Sequence, residues 1–175
     1  MSDFYKRITD MQGSVEAIVR KVPGFKGYFE RQDRRAADKL LRDKLVREFQ
    51  AQLAEFSRLQ VKLVDSGGMQ YMSRVQSINT RLQTLIDKIE SAPQGYSGVF
   101  DATKVSEDTL RGVYALDNGM LTYEDQLATG LKSFGDSIGT DAVSGVLDQL
   151  DALITEMSNT FARRVDAMQG LAQAV

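Results

Sequence analysis

Four carboxylates have a spacing that chemistry can use. Asp117 and Glu124 stand one heptad apart, and Asp148 and Asp151 stand one helical turn apart. Turned toward a shared interior, such pairs bind a hard cation such as magnesium or manganese. At the solvent edge of their helices they are ordinary solvated charges. That reading is preferred, because an unpaired carboxylate is costly to bury. The chain holds no His and no Cys. Ser-His-Asp and Cys-His nucleophilic sites are therefore excluded, as are imidazole and thiolate metal centres. A ferritin-like di-metal site takes Glu-x-x-His pairs from two helices and cannot be assembled here. No GxxxxGK[ST] or GxGxxG run occurs. "GLKS" at 130–133 lacks the first half of a phosphate loop, and "DNGMLTYED" at 117–125 lacks oxygen ligands and a glycine that a calcium loop needs. The chain is read as non-enzymatic, with no catalytic, cofactor or metal residues assigned.

Those carboxylates lie in segments whose apolar spacing is helical almost throughout. The spacing predicts an amphipathic helix over residues 1–22, a Pro-Gly turn over 23–27 and a helical bundle over 28–175. Within the bundle it predicts helices at about 28–65, 69–90, 106–134 and 141–173. Pro23 disfavours helix at Val22. "DSGG" supplies a left-handed stop after Asp65. Pro93 ends the third helix, Ser106 caps the fourth, "FGDSIGT" breaks it, and Thr140 caps the fifth. Each of the four later helices carries one apolar stripe, and antiparallel packing buries all four together. The expected fold is all-α: an antiparallel four-helix bundle with coiled-coil-like packing plus a separate N-terminal amphipathic helix.

Net charge is -2 over 175 residues, but residues 1–50 carry +4 and residues 101–175 carry -7. The two ends are read as neutralising each other within one bundle or between copies. The basic stretch Arg31, Arg34, Arg35, Lys39 and Arg42 is interleaved with Glu30, Asp33, Asp38 and Asp43, so its net field is small and no nucleic acid is expected. No apolar run reaches the roughly 18–20 residues of a membrane span. Asp3, Asp10 and Glu16 interrupt the N-terminus against a signal-peptide reading. A cytoplasmic protein is expected, with a peripheral position at the inner membrane face as the second reading.

Contact is expected through the opening helix. Its stripe is Phe4, Ile8, Met11, Val15, Ile18 and Val22, flanked by Lys6, Arg7, Arg20 and Lys21. A narrow stripe of this kind seals against another helix. The expected partner is protein, either a second copy or a different chain, with a membrane surface as the alternative. Tyr96 and Phe100, in the glycine-bearing loop "QGYSGVFDATKV", are candidate loop contacts or plugs for the bundle end.

The run "FYKRITDMQGSVEAIVRKVP", with its amphipathic helix, proline break and long charged helix after it, resembles in layout the start of the phage-shock-protein A family. The likeness covers about the first 60 residues and implies membrane-surface work by the opening helix. The glycine-aromatic loop and the two striped C-terminal helices depart from that family. "PGFKGYFERQDRRAADKLLRDKL" and "YSGVFDATKV" resemble stretches of uncharacterised bacterial helical-bundle proteins, which implies a bacterial origin and no activity.

Overall fold

The computed structural model describes the backbone of residues 2–28, 34–92 and 107–173, with side chains placed for 12–28, 35–92 and 108–168. The described residues form five α-helices and no strand: α1 (Ser2–Lys21), α2 (Arg34–Asp65), α3 (Met72–Ser91), α4 (Glu107–Ser137) and α5 (Val143–Gln173). The all-helical expectation holds.

The boundaries follow local chemistry. After α1, Phe25 N–H donates to the Val22 carbonyl at 3.1 Å, and Gly24 takes φ +84° to turn the chain. The expected start of α2 near residue 28 is corrected, because Gly27 has φ +90° and Tyr28 is not helical. The Tyr28 N–H is donated to a side chain of α4, as described below. At the other end of α2, Gly67 takes φ +82° and Gly68 N–H closes on the Leu63 carbonyl at 2.9 Å. This is the left-handed stop expected of "DSGG". A Cβ on Gly68 would lie 2.7 Å from Leu63 Cγ and 2.9 Å from the Leu63 carbonyl oxygen. Gly68→Ala is therefore expected to cost about 1–3 kcal/mol in a urea melt, the usual range for overpacking. A short 3₁₀ turn, Met69–Tyr71, then precedes α3. α4 runs three residues past the expected stop. Ser137 O accepts Thr140 N–H at 2.9 Å, and Thr140 Oγ1 accepts Ala142 N–H at 3.2 Å, which closes the turn before α5; the first helical acceptor is the Ala142 carbonyl, two residues after the expected cap.

The chain divides into two compact units. Unit 2 holds Leu45–Ser91 and Thr122–Asn159, so its four helical segments come from α2, α3, α4 and α5. Its core follows the predicted stripes: Phe49, Phe56, Leu82, Leu127, Phe134, Leu147 and Met157 are each no more than 1% exposed. Phe56 and Phe134 pack ring to ring with centroids 5.5 Å apart. Polar contacts tie α2 to α4 through Gln52 Nε2 to the Glu124 carbonyl (2.8 Å) and Lys62 Nζ to the Gly135 carbonyl (3.2 Å).

Unit 1 holds Met1–Lys44, Ala92–Leu121 and Thr160–Val175. Its described helical segments are all of α1, the first third of α2, the first half of α4 and the end of α5. The expected boundary at residue 22 thus falls inside one unit. Ile18 of α1 and Val22 just after it are 0% and 2% exposed, and Lys21 Nζ donates to the Leu121 carbonyl of α4 at 3.1 Å.

Candidate functional site

A stripe position that breaks the apolar rule draws attention in each of three helices. On α5 the buried series Met157, Phe161, Arg164, Met168 has spacing four, three, four. Arg164 therefore occupies the inward seam, and the expected core residue Val165 is only half-buried. On α4, Asp117 stands four after Val113 and three before Met120, again on the seam. On α2, Asp38 and Arg42 lie beside Ala37 and Leu41 and are 3% and 5% exposed. All four charged residues belong to unit 1.

They meet in one cluster. Arg164 Nε donates to Asp117 Oδ1, and Arg164 Nη2 donates to Asp38 Oδ1 at 2.7 Å. Arg42 Nε donates to Asp38 Oδ2 at 2.9 Å, and its Nη1 donates to the Ala92 carbonyl at 3.1 Å. The fourth carboxylate oxygen, Asp117 Oδ2, accepts the Tyr28 hydroxyl at 2.6 Å. Each carboxylate oxygen thus has a buried donor, and two arginines balance two aspartates. That balance is what makes burial tolerable, since an uncompensated ion in an interior costs several kcal/mol.

Tyr28 joins this cluster to the segment after α1. Its hydroxyl also accepts Arg164 Nη2 at 3.3 Å. Its backbone N–H donates to Tyr114 Oη at 2.5 Å. The Tyr28 ring stacks on Tyr114 with centroids 5.1 Å apart, and Phe25 sits edge-on to Tyr28 at 5.2 Å. The strap 24–28 is thereby held by an aromatic trio and two polar ends. The remaining guanidinium nitrogen, Arg164 Nη1, is buried with no partner.

Electrostatics follow from burial. Burial, then the Asp117 charge, pushes the Tyr28 phenol well above its ordinary value. Burial also pushes the Asp117 carboxyl up, against the opposite pull of Arg164 and Tyr28. Burial works to discharge Arg164, and the acidic neighbours Asp117, Tyr28 and Asp38 together outweigh it, so the guanidinium stays ionised. The phenol gives a signed prediction. Above the ordinary tyrosine value of 10.0 the unfolded chain releases this proton while the folded chain keeps it. Stability present below that pH is lost as pH rises through it, by up to about 1.4 kcal/mol per pH unit for one proton. Urea melts between about pH 9 and 11 should show a shallower fall for Tyr28→Phe than for the native chain.

The other sequence-derived candidates sit as follows. Val15 is half-buried, Lys21 half-buried and Arg20 exposed, while Ile18 and Val22 are inside the core of unit 1. The side chains of Phe4, Lys6, Arg7, Ile8 and Met11 lie outside the described residues, as do Tyr96 and Phe100. Asp117 is not at a solvent edge, and its neighbours are Arg164 and Tyr28. Glu124 is half-buried. Asp148 pairs with Arg74, and Asp151 with Arg81, both across α3 and α5 in unit 2. Among the described residues no group of acidic side chains could hold a metal ion. The basic stretch on α2 is corrected at Arg42, which faces inward, while Lys39 pairs with Asp43.

Comparison with family models, curated proteins and solved structures found no match to this chain. Among the described residues no helix is long and apolar enough to cross a membrane. The site therefore rests on its own geometry. It is a closed, electroneutral knot that fixes the strap, α2, α4 and α5 of unit 1 to one another. Sequence reasoning had Asp117, Asp38 and Arg42 in hand but missed Arg164, Tyr28 and Tyr114. The available signal was the heptad spacing: an arginine and two aspartates on the seams of different helices.

Proposed function

We propose that this chain is a non-enzymatic helical interaction module whose contact element is α1, with a second copy as the partner. The observation that carries the reading is the apolar stripe of α1. Ile18 in its second half and Val22 just after it are buried in unit 1, and the same apolar spacing runs back in the sequence through Met11, Ile8 and Phe4. A helix with one apolar stripe along its length is suited to seal against another helix. The buried charges balance one another, two arginines against two aspartates, and the reading gives them a part in architecture rather than in binding a substrate. For unit 2 the reading includes an antiparallel four-helix bundle. Its support is the pairing of residue numbers. Contacts 52 with 124 and 62 with 135 climb together, as do 74 with 148 and 81 with 151, while Ser57 and Asn79 meet across the α2–α3 turn.

Light scattering after size exclusion tests the assembly reading. The native chain should form an oligomer, and the combined variant Phe4→Asp, Ile8→Asp, Met11→Asp should run as a monomer with unchanged helical circular dichroism. A native chain that stays monomeric at all concentrations contradicts self-assembly and transfers the question to vesicle co-sedimentation.

A further inference from the structure

We propose that Tyr28 is a latch whose release lets α1 exchange between two copies of the chain. The inference rests on the assembly reading above and specifies how it is controlled. Three observations carry it. The slot that buries Ile18, Val22 and Tyr28 in unit 1 is shaped to this helix and strap, so the partner that fits it when vacated is the same segment of a second copy. The strap is bounded by Gly24 and Gly27, with φ +84° and +90°, and glycine adopts either sign of φ with little steric cost. The strap itself can therefore change its bend as it leaves the slot.

The third observation is the charge balance. Tyr28 is neutral, so its departure strands no ion. Arg164 keeps both aspartates, and Arg42 keeps Asp38. Asp117 Oδ2 and Arg164 Nη2 each lose a bond to the hydroxyl, and Tyr114 loses the Tyr28 N–H and its stacked ring, all of them neutral contacts on the strap's side. Had the strap carried one of the four charges, opening would leave a buried charge unpaired, which is far more costly. The cluster thus holds α1 in place through a hydroxyl that can leave without collapsing the rest. In the closed state α1 hides the second half of its own stripe, an autoinhibitory contact for a helix meant to engage another chain.

The experiment compares the native full-length chain with Tyr28→Phe, which keeps the ring on Tyr114 and removes the hydroxyl. Amide exchange is followed along α1 and in Leu45–Ser91 of unit 2. Mixing of isotopically light and heavy copies is followed by native mass spectrometry. Tyr28→Phe should speed amide exchange at residues 15–22 by roughly tenfold or more, leaving Leu45–Ser91 unchanged. It should also speed formation of mixed oligomers by a similar factor. If oligomers form and mix at equal rates in both proteins, the latch is overturned while the assembly reading stands. If neither protein forms an oligomer, the assembly reading falls and the exchange between copies falls with it. If Leu45–Ser91 loses protection together with α1, the hydroxyl supports the whole fold and the latch is again overturned.

Discussion

Arg164→Met should lower stability by about 3–5 kcal/mol, the range seen when one partner of a buried ion pair is removed. Arg164 is 1% exposed, and methionine fills much of the same volume. The loss is therefore electrostatic rather than a cavity. Without the guanidinium, Asp117 keeps only the Tyr28 hydroxyl, and Asp38 keeps only Arg42. One buried negative charge is left over. Protonating a carboxyl relieves it, so the variant should regain part of its stability as pH falls toward 4, a trend weaker in the native chain. The neighbouring Arg163 is exposed, and Arg163→Met should stay within about 0.5 kcal/mol. Urea melts of the three proteins check the contrast.

Ile18→Ala should cost about 2–5 kcal/mol, the usual range for truncating a fully buried aliphatic residue. The side chain is 0% exposed within unit 1. This prediction separates two roles for the opening helix. A detached handle would lose almost nothing, since surface substitutions rarely exceed about 0.5 kcal/mol. A helix that is one wall of the unit loses the transfer energy of the removed methyl and methylene groups and gains a cavity. Val19 is the control. It is the next residue on the same helix and is 47% exposed, so Val19→Ala should be close to neutral.

Much of the fold could be read from periodicity because apolar spacing and helical geometry are the same signal. α3 illustrates it: the spacing points Met72, Val75, Leu82 and Ile89 inward, with Ile78 or Asn79 and Leu85 or Ile86 between them; Val75, Ile78, Leu82, Leu85, Ile86 and Ile89 are buried and Met72 is half-buried. The start of α2 was not readable, because a tyrosine whose N–H and hydroxyl both bind another helix looks locally like any aromatic before a charged run. Gly27 was the one local cue. The cluster was only half readable for a related reason. Asp38 and Arg42 stand four apart, the spacing of a surface helix pair, and periodicity cannot say which way such a pair faces. Arg164 next to Val165 posed the same choice, and hydropathy favoured the wrong neighbour. The tertiary charge balance decided it, since an arginine on the seam is stable only opposite acids that lie 47 and 126 residues away. The separate opening helix was expected from Pro23, and the Pro-Gly turn is there. What no local pattern encodes is that the strap after it carries the two aromatics that bring α1 back.

The measurement that bears most directly on this account is a double-mutant cycle between Arg164 and Asp117. Arg164→Met and Asp117→Leu each leave one buried charge without its partner. The double variant leaves Asp38 with Arg42, a neutral pair. Its loss in urea melts should fall about 2 kcal/mol or more below the sum of the single losses. Losses that add to within about 0.5 kcal/mol would mean that the two residues do not share a buried site. The closed knot that anchors the strap and α1 would then be wrong.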